Sequence, residues 1–67
     1  MKVYFRNSSG RELRIGEAEN DKQASKIIKR FCDDRNFKIH YTRKWLGDDG
    51  REVIDVGSHT EFFIIER

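Results

Sequence analysis

The sequence predicts a two-layer α+β domain, in which one amphipathic helix packs on a mostly antiparallel sheet and the elements follow the order ββαβββ. Apolar residues recur at helical spacing between residues 21 and 36. Alternating or continuous apolar runs, which are typical of strands, lie on both sides of that segment. A helix with one apolar stripe needs a sheet to cover, and the flanking runs can supply it. With 67 residues the chain is expected to form a single domain, residues 1–67.

The first two strands are predicted to form a hairpin. Lys2 to Arg6 and Glu12 to Ile15 alternate in polarity, and a turn cluster, Asn7 to Gly10, separates them. A three-residue loop that ends in a left-handed Gly10 would bring apolar side chains together and match opposite charges. The pairs expected from this register are Phe5–Leu13, Val3–Ile15 and Arg6–Glu12.

The helix is predicted over Asp21–Asn36. Its apolar residues follow the i, i+3, i+4, i+7, i+8 spacing and are Ala24, Ile27, Ile28, Phe31 and Cys32. Asn20 or Asp21 can cap the N-terminus, and Asn36 can end the helix in a left-handed conformation. Because Cys32 lies on the apolar stripe, we interpret it as a core residue and not as a nucleophile.

Three strands are predicted after the helix. Lys38 to Leu46 alternates, and the residues expected on one face are Ile39, Tyr41, Arg43 and Trp45. Asp49-Gly50 favours a two-residue turn, which would set Lys44 opposite Asp55, and a four-residue loop would keep the same faces. Thr60 to Glu66 contains a continuous apolar run, which predicts a central strand. The spacing leaves open whether the helix contacts Phe62 and Ile64 or Phe63 and Ile65.

Composition narrows the function classes. The net charge of +2, from 14 basic and 12 acidic residues, is too small to drive nucleic-acid binding without clustering. The single cysteine excludes an intramolecular disulfide. No run approaches the ~20 apolar residues of a membrane span, and the N-terminus lacks the apolar core of a signal peptide. We therefore expect a soluble, cytoplasmic protein with no membrane contact, and infer no cofactor or small-molecule substrate.

One polar cluster contains residue types used in hydrolysis, namely Asp55, Ser58 and His59. A catalytic serine and histidine normally converge from different chain segments, and no nucleophile elbow precedes Ser58. We interpret the cluster as a turn whose side chains bond to backbone groups. His40 and His59 with Asp55 would make only a thin zinc site, and Asp48-Asp49-Gly50 lacks the ordered ligands of a calcium loop. No catalytic residue and no metal site are predicted.

The leading functional hypothesis is a non-enzymatic binding module that contacts a protein partner, or itself. A single helix covers one face of a sheet, so apolar side chains should emerge on the other face. Aromatic residues and arginine dominate the energetics of protein interfaces. The interface candidates are Tyr4, Tyr41, Arg43 and Trp45. The opposing interpretation is that lysine and arginine stems cover this face.

The alternative hypothesis is nucleic-acid binding through a basic surface on the helix and on the strand 38–46. The segment from Arg35 to Trp45 contains basic and aromatic residues and no acid, a mixture used to bind single strands. The candidates are Lys22, Lys26, Lys29, Arg30, Arg35, Lys38 and Lys44. The predicted strand weakens this alternative, because it places Tyr41 and Trp45 on the face opposite to its lysines.

Two stretches carry a resemblance to known proteins, namely Tyr41-Thr42-Arg43-Lys44-Trp45 and Asp55-Val56-Gly57-Ser58-His59-Thr60-Glu61-Phe62-Phe63. The chain resembles small uncharacterised proteins carried by phages and prophages of Gram-positive bacteria. The resemblance covers most of the chain, and it transfers no activity and no functional residue. It implies a small accessory protein of the kind that binds and redirects host macromolecules.

Overall fold

The computed structural model describes all 67 residues, as a five-stranded sheet with one helix on one face. The elements are β1 (Lys2–Arg6), β2 (Glu12–Glu17), α1 (Asp21–Asp34), β3 (Arg43–Leu46), β4 (Glu52–Asp55) and β5 (Phe62–Glu66). The strands lie in the order β2-β1-β5-β4-β3, and every neighbouring pair is antiparallel. The predicted α+β class, the order ββαβββ and the central position of the last strand are confirmed.

A side-chain cap marks the start of the helix, and a residue in the left-handed conformation follows its end. Asn20 is the N-cap, and its side chain accepts a hydrogen bond of 2.9 Å from the Gln23 N–H. The helix ends at Asp34, two residues before the predicted end, and Asn36 adopts a left-handed φ of 57°. The stripe is core as predicted: Ala24, Ile28, Phe31 and Cys32 are buried, and Ile27 is partly buried against them.

The orientation of β5, which the sequence left open, is defined by its pairing with β1 and β4. Phe63 and Ile65 belong to the core beneath the helix, whereas Phe62 and Ile64 point to the opposite face. The rings of Phe5, Phe31 and Phe63 form a triangle, with Phe63 at centroid distances of 5.4 and 5.6 Å from the other two, which are 4.7 Å apart. β5 begins at Phe62, two residues later than predicted.

The first hairpin has the predicted three-residue loop. Gly10 has a φ of 87°, which only glycine adopts without strain. Two predicted pairs are confirmed, Phe5–Leu13 and Arg6–Glu12. The third prediction is wrong, because a β-bulge between Val3 and Tyr4 places Val3 opposite Gly16 instead of Ile15.

The second hairpin repeats the loop of the first, and this contradicts the predicted two-residue turn. Its loop residues are 48–50, closed by a 2.8 Å hydrogen bond from the Gly47 N–H to the Arg51 carbonyl. Gly50, with a φ of 84°, occupies the left-handed third position. An odd loop length moves every residue of one strand to the opposite face relative to an even one.

The changed register replaces one predicted ion pair by another. The observed pairs are Arg43–Asp55, Lys44–Ile54, Trp45–Val53 and Leu46–Glu52. Arg43 Nη2 donates a hydrogen bond of 3.1 Å to the Asp55 carboxylate. The prediction that Lys44 lies opposite Asp55 and pairs with it is therefore wrong. Lys44 instead points to the helix side of the sheet, opposite to its neighbours Arg43 and Trp45.

The strand predicted over Lys38–Leu46 is shorter than expected and covers only Arg43–Leu46. Residues 38–42 do not pair as a strand. They make one backbone hydrogen bond to the chain after β4, of 3.0 Å, from the His40 N–H to the Val56 carbonyl. Strict alternation therefore stops, and Ile39 turns to the helix side, where it lines a crevice with helix residues. The prediction that Ile39 shares a face with the aromatic residues is wrong.

Candidate functional site

The face of the sheet away from the helix, here called the open face, carries one row of aligned side chains. The row consists of Tyr4, Ile64, Val53 and Trp45, which are direct partners across β1, β5, β4 and β3. Its centre is closed, because Ile64 has no exposed surface and Val53 is also buried. Its end on β3 is open, because Trp45 remains 42% exposed.

The β1–β2 half of the open face is covered by an ion-pair network. Both carboxylate oxygens of Glu12 accept bonds of 2.8–2.9 Å from the Arg51 guanidinium, and Arg6 donates to the same carboxylate at 2.8 Å. The guanidinium carbon of Arg51 also lies over the Tyr4 ring, 5.7 Å from its centroid and within cation–π range. The interpretation of the open face as covered by long basic side chains applies to this half.

The hydrogen bonds from Arg51, followed by those from Arg6, lower the pKa of Glu12 to about 2, from its ordinary value of 4.5. A carboxylate with a depressed pKa stabilises the fold above its ordinary pKa, and this contribution is lost as the pH falls through the lowered value. The network therefore contributes in full at neutral pH and disappears between about pH 4.5 and about pH 2.

We expect Glu12→Gln to lower the free energy of unfolding at neutral pH by about 1.5–3 kcal/mol, the scale of a hydrogen bond to a charged group. Urea unfolding measured over decreasing pH should show the wild-type and variant curves converging as Glu12 becomes protonated. The matched control is Glu17→Gln, which removes an exposed pair with Arg14 and should cost under about 0.5 kcal/mol. A constant difference between the Glu12→Gln and wild-type curves down to about pH 2 would contradict this account.

The β3 half of the open face carries the exposed aromatic residues. This surface, here called the aromatic end, consists of Tyr41, Arg43, Trp45 and Phe62. The guanidinium of Arg43 lies 5.6 Å from the Tyr41 ring centroid and 5.8 Å from that of Trp45, within cation–π range of both. Trp45 meets Phe62 edge to face at 6.0 Å. The rings are thus held in place while Tyr41 and Trp45 stay 40% and 42% exposed.

The buried carboxylate of Asp55 holds Arg43 of the aromatic end in place. The Asp55 side chain is buried and accepts a 2.9 Å bond from the Gly57 N–H and the 3.1 Å bond from Arg43. The pKa of Asp55 lies below its ordinary value, mainly because of the hydrogen bond from the Gly57 N–H and to a smaller extent because of Arg43. An ionised, buried carboxylate therefore fixes Arg43, while the exposed side of the guanidinium stays available.

The predicted interface residues do not form one surface. Tyr41, Arg43 and Trp45 come together on β3 and the residues before it. Tyr4 shares the open face, but lies on β1 under Arg51, with β5 and β4 in between. Phe62 belongs to the aromatic end and was missed, because its side of β5 could not be chosen from a continuous apolar run.

The polar cluster at Asp55, Ser58 and His59 forms a turn. Asp55 accepts from a backbone N–H as predicted, while Ser58 Oγ donates to the Glu61 side chain at 2.9 Å instead of bonding the backbone. His59 adopts a left-handed φ of 72°. His40 lies before β3 and His59 before β5, and β4 lies between these two strands in the sheet.

No group of three His, Cys, Asp or Glu side chains lies close enough together to hold a metal ion. Cys32 is buried in the core, and burial raises the pKa of its thiol above the ordinary value. A protonated, buried thiol is a poor nucleophile.

The basic residues of the alternative surface lie on the helix side of the sheet and fall into two groups. One group follows an exposed stripe of α1 and continues past its end, where Lys29 shares crevices with Lys38 and Lys44. The members of this lysine surface are Lys22, Lys26, Lys29, Lys38 and Lys44. Arg30 and Arg35 instead line a groove of about 510 Å³ between α1 and β2. The exposed aromatic residues lie across the sheet from both groups.

No protein-family model, curated protein or solved structure matches the chain. The single helix is neither long nor apolar enough to cross a membrane.

Proposed function

We propose that the chain is a small non-enzymatic binding module, which contacts a protein partner through the aromatic end. One observation carries the proposal: Tyr41 and Trp45 hold exposed rings on either side of an arginine that a buried carboxylate fixes. The phage resemblance suggests a phage-type accessory protein that contacts a host or phage protein in the cytoplasm of a bacterial host.

Two physical features support a protein as the partner. Tyrosine, tryptophan and arginine are the residue types most enriched at interface hot spots. Rings that are already fixed lose little conformational entropy on binding, which leaves more of the contact energy as affinity. Because the Glu12 network covers the other half of the open face, the contact is confined to the β3 half.

Affinity capture from host lysate, run with and without nuclease, tests this proposal. We expect the chain to retain a protein that survives nuclease treatment and high salt, because an apolar contact responds little to ionic strength. Sedimentation of the purified chain separates a foreign partner from a second copy of itself. A strictly monomeric chain that retains no protein after nuclease treatment would refute the proposal.

Nucleic-acid binding is the second candidate, and the distribution of ion pairs favours it. The eight salt bridges use Lys2, Arg6, Arg14, Arg43, Arg51 and Arg67. All seven basic residues of the alternative surface are free of such pairs. Residues 21–44 contain eight basic and three acidic residues, a net charge of +5, while the rest of the chain, with six and nine, carries −3.

For this candidate we expect phosphate-driven binding of a single-stranded thymidine oligonucleotide that weakens steeply with salt. If all members of the lysine surface contact phosphate, the slope of log K against log salt should be about −3.5, from about −0.7 per contact. Lys29→Ala should reduce the slope by about 0.7, while the control Arg11→Ala, a free cation in the first hairpin, should leave it unchanged. Absence of binding at low salt would refute this candidate.

A further inference from the structure

β3 is an edge strand whose outward backbone is unpaired. It has β4 on one side and no strand on the other. Because the Gly47 N–H bonds to Arg51, the alternation of an antiparallel ladder turns the N–H and C=O of Lys44 and Leu46 away from β4. Such a row of free donors and acceptors is a template for one more strand.

The two edges of the sheet differ in how they are protected. At the β2 edge, a bulge interrupts the ladder with β1, and an ion pair of 2.8 Å joins Arg14 to Glu17 along the strand. β3 has no proline or bulge, its ladder with β4 is regular, and all four of its residues are exposed. Of the two edges, β3 is therefore the one suited to pairing.

Apolar side chains flank the β3 edge on both faces of the sheet. Trp45 lies on the open face, and Leu46, 74% exposed, lies on the helix side. Ile39, Lys29 and Lys44 border a crevice of about 80 Å³ on that same side. An added strand would place alternate side chains against the aromatic end and against this crevice.

The positive charges around β3 favour an acidic strand at its outer edge. Arg43 and Lys44 are adjacent in β3, and Lys29 and Lys38 extend the positive charge on the helix side. A second copy of β3 would add a second set of the same cations at this edge, whereas an acidic strand would neutralise them. A strand that carries carboxylates would meet these cations at the Arg43 end of β3, away from the acidic turn at Asp48-Asp49.

We infer that the outer edge of β3 binds an acidic, extended peptide segment, which adds to the sheet as a sixth strand. The inference rests on the proposed function and specifies the partner: an acidic segment in which apolar and acidic residues alternate. Main-chain hydrogen bonds supply affinity in this mode, and alternate side chains supply specificity.

The probe is a short, end-capped peptide in which valine alternates with glutamate, titrated into the full chain and followed by amide NMR. We expect shifts at Arg43–Leu46 and slowed hydrogen exchange at the outward amides of Lys44 and Leu46. Two control peptides carry lysine in place of glutamate, or N-methyl groups on alternate amides. Both should bind at least about tenfold more weakly, since each lacks one of the two required features.

Two variants of Lys44 distinguish the contribution of its charge to peptide binding from that of its backbone N–H. Lys44→Thr keeps the outward N–H and removes the charge, so the acidic peptide should bind about threefold more weakly. Lys44→Pro also removes the outward N–H and leaves the bonds to β4 in place, so the loss should exceed about tenfold. Unchanged amide resonances of Val53 and Asp55 would verify that the Lys44→Pro variant keeps its sheet.

The inference is overturned if the acidic peptide fails to bind, shifts residues of β2 or α1 instead, or binds equally well when N-methylated. If the peptide fails while partner capture still depends on Tyr41 and Trp45, the edge is refuted and the proposed function stands. If the peptide binds and no partner is captured through those residues, the proposed function fails alone.

Discussion

Replacing Phe63 by alanine should lower the free energy of unfolding by about 3–5 kcal/mol, the usual cost of deleting a buried phenylalanine ring. Phe63 has no exposed surface and packs on the rings of Phe5 and Phe31. A domain of this size has a total stability of roughly 3–10 kcal/mol, so the variant should be largely unfolded or close to it at 25 °C. Urea unfolding followed by circular dichroism measures the effect.

The matched control for this experiment is the next residue along the chain. Phe62→Ala removes the same ring from the open face, where it is only partly buried, and should cost about 1 kcal/mol. Phe63→Leu, which keeps most of the apolar volume, should cost under about 1.5 kcal/mol and remain folded for comparison. A larger loss for Phe62→Ala than for Phe63→Ala would show that β5 presents the opposite face to the helix.

Replacing Trp45 or Tyr41 by alanine should weaken binding of the protein partner about 30-fold each, the effect of losing a hot-spot side chain of about 2 kcal/mol. Both rings are about 40% exposed, so the free energy of unfolding should change far less than for Phe63→Ala. Titration calorimetry with the captured partner measures the affinity. Arg43 is less suitable for this test, because its removal would leave the buried Asp55 carboxylate without its cation.

The control for the binding experiment is an exposed apolar residue elsewhere. Leu13 is 53% exposed and lies on the helix side of β2, far from the aromatic end. Leu13→Ala should leave the affinity for the partner within about twofold of wild type. An equal loss for Leu13→Ala and Trp45→Ala would mean that the contact is not centred on the aromatic end.

The parts of the fold that the sequence predicts are those with strong local signals. The stripe from Ala24 to Cys32 has a single interpretation at helical spacing, and Asn20 and Asn36 are suited to caps by side chain and conformation. The first hairpin was predictable because only one loop length satisfied both the apolar and the charged pairs. The bulge, which leaves Ile15 of β2 unpaired opposite Val3 and Tyr4, was missed because it depends on pairing beyond the loop.

The second hairpin shows where local signals become ambiguous. Asp49-Gly50 fits a two-residue turn, and it also fits the last two positions of a three-residue loop. In the structure the Asp49 side chain accepts bonds from the Arg51 N–H and guanidinium, which stabilises the longer loop. Because the loop is one residue longer than predicted, the residues of β4 face the opposite side of the sheet relative to those of β3. Asp55 therefore lies opposite Arg43 and not opposite Lys44.

The candidate site was predictable in part. Tyr41, Arg43 and Trp45 share a face as alternation suggests, but their exposure depends on what lies above each strand. On β1 the same face is covered by Arg51, which reaches Glu12 from 39 residues away in the chain. A contact at that separation leaves no local pattern, so Tyr4 could not be distinguished from Trp45 by sequence.

The most direct test of the central claim is site-specific photo-cross-linking in host lysate treated with nuclease. A photoreactive phenylalanine replaces Trp45 in one variant and Leu13 in the other, and the cross-linked species are identified by mass spectrometry. The account predicts a discrete protein adduct from position 45 and none from position 13. The opposite pattern, or identical adducts from both positions, would contradict the claim that the aromatic end binds the protein partner.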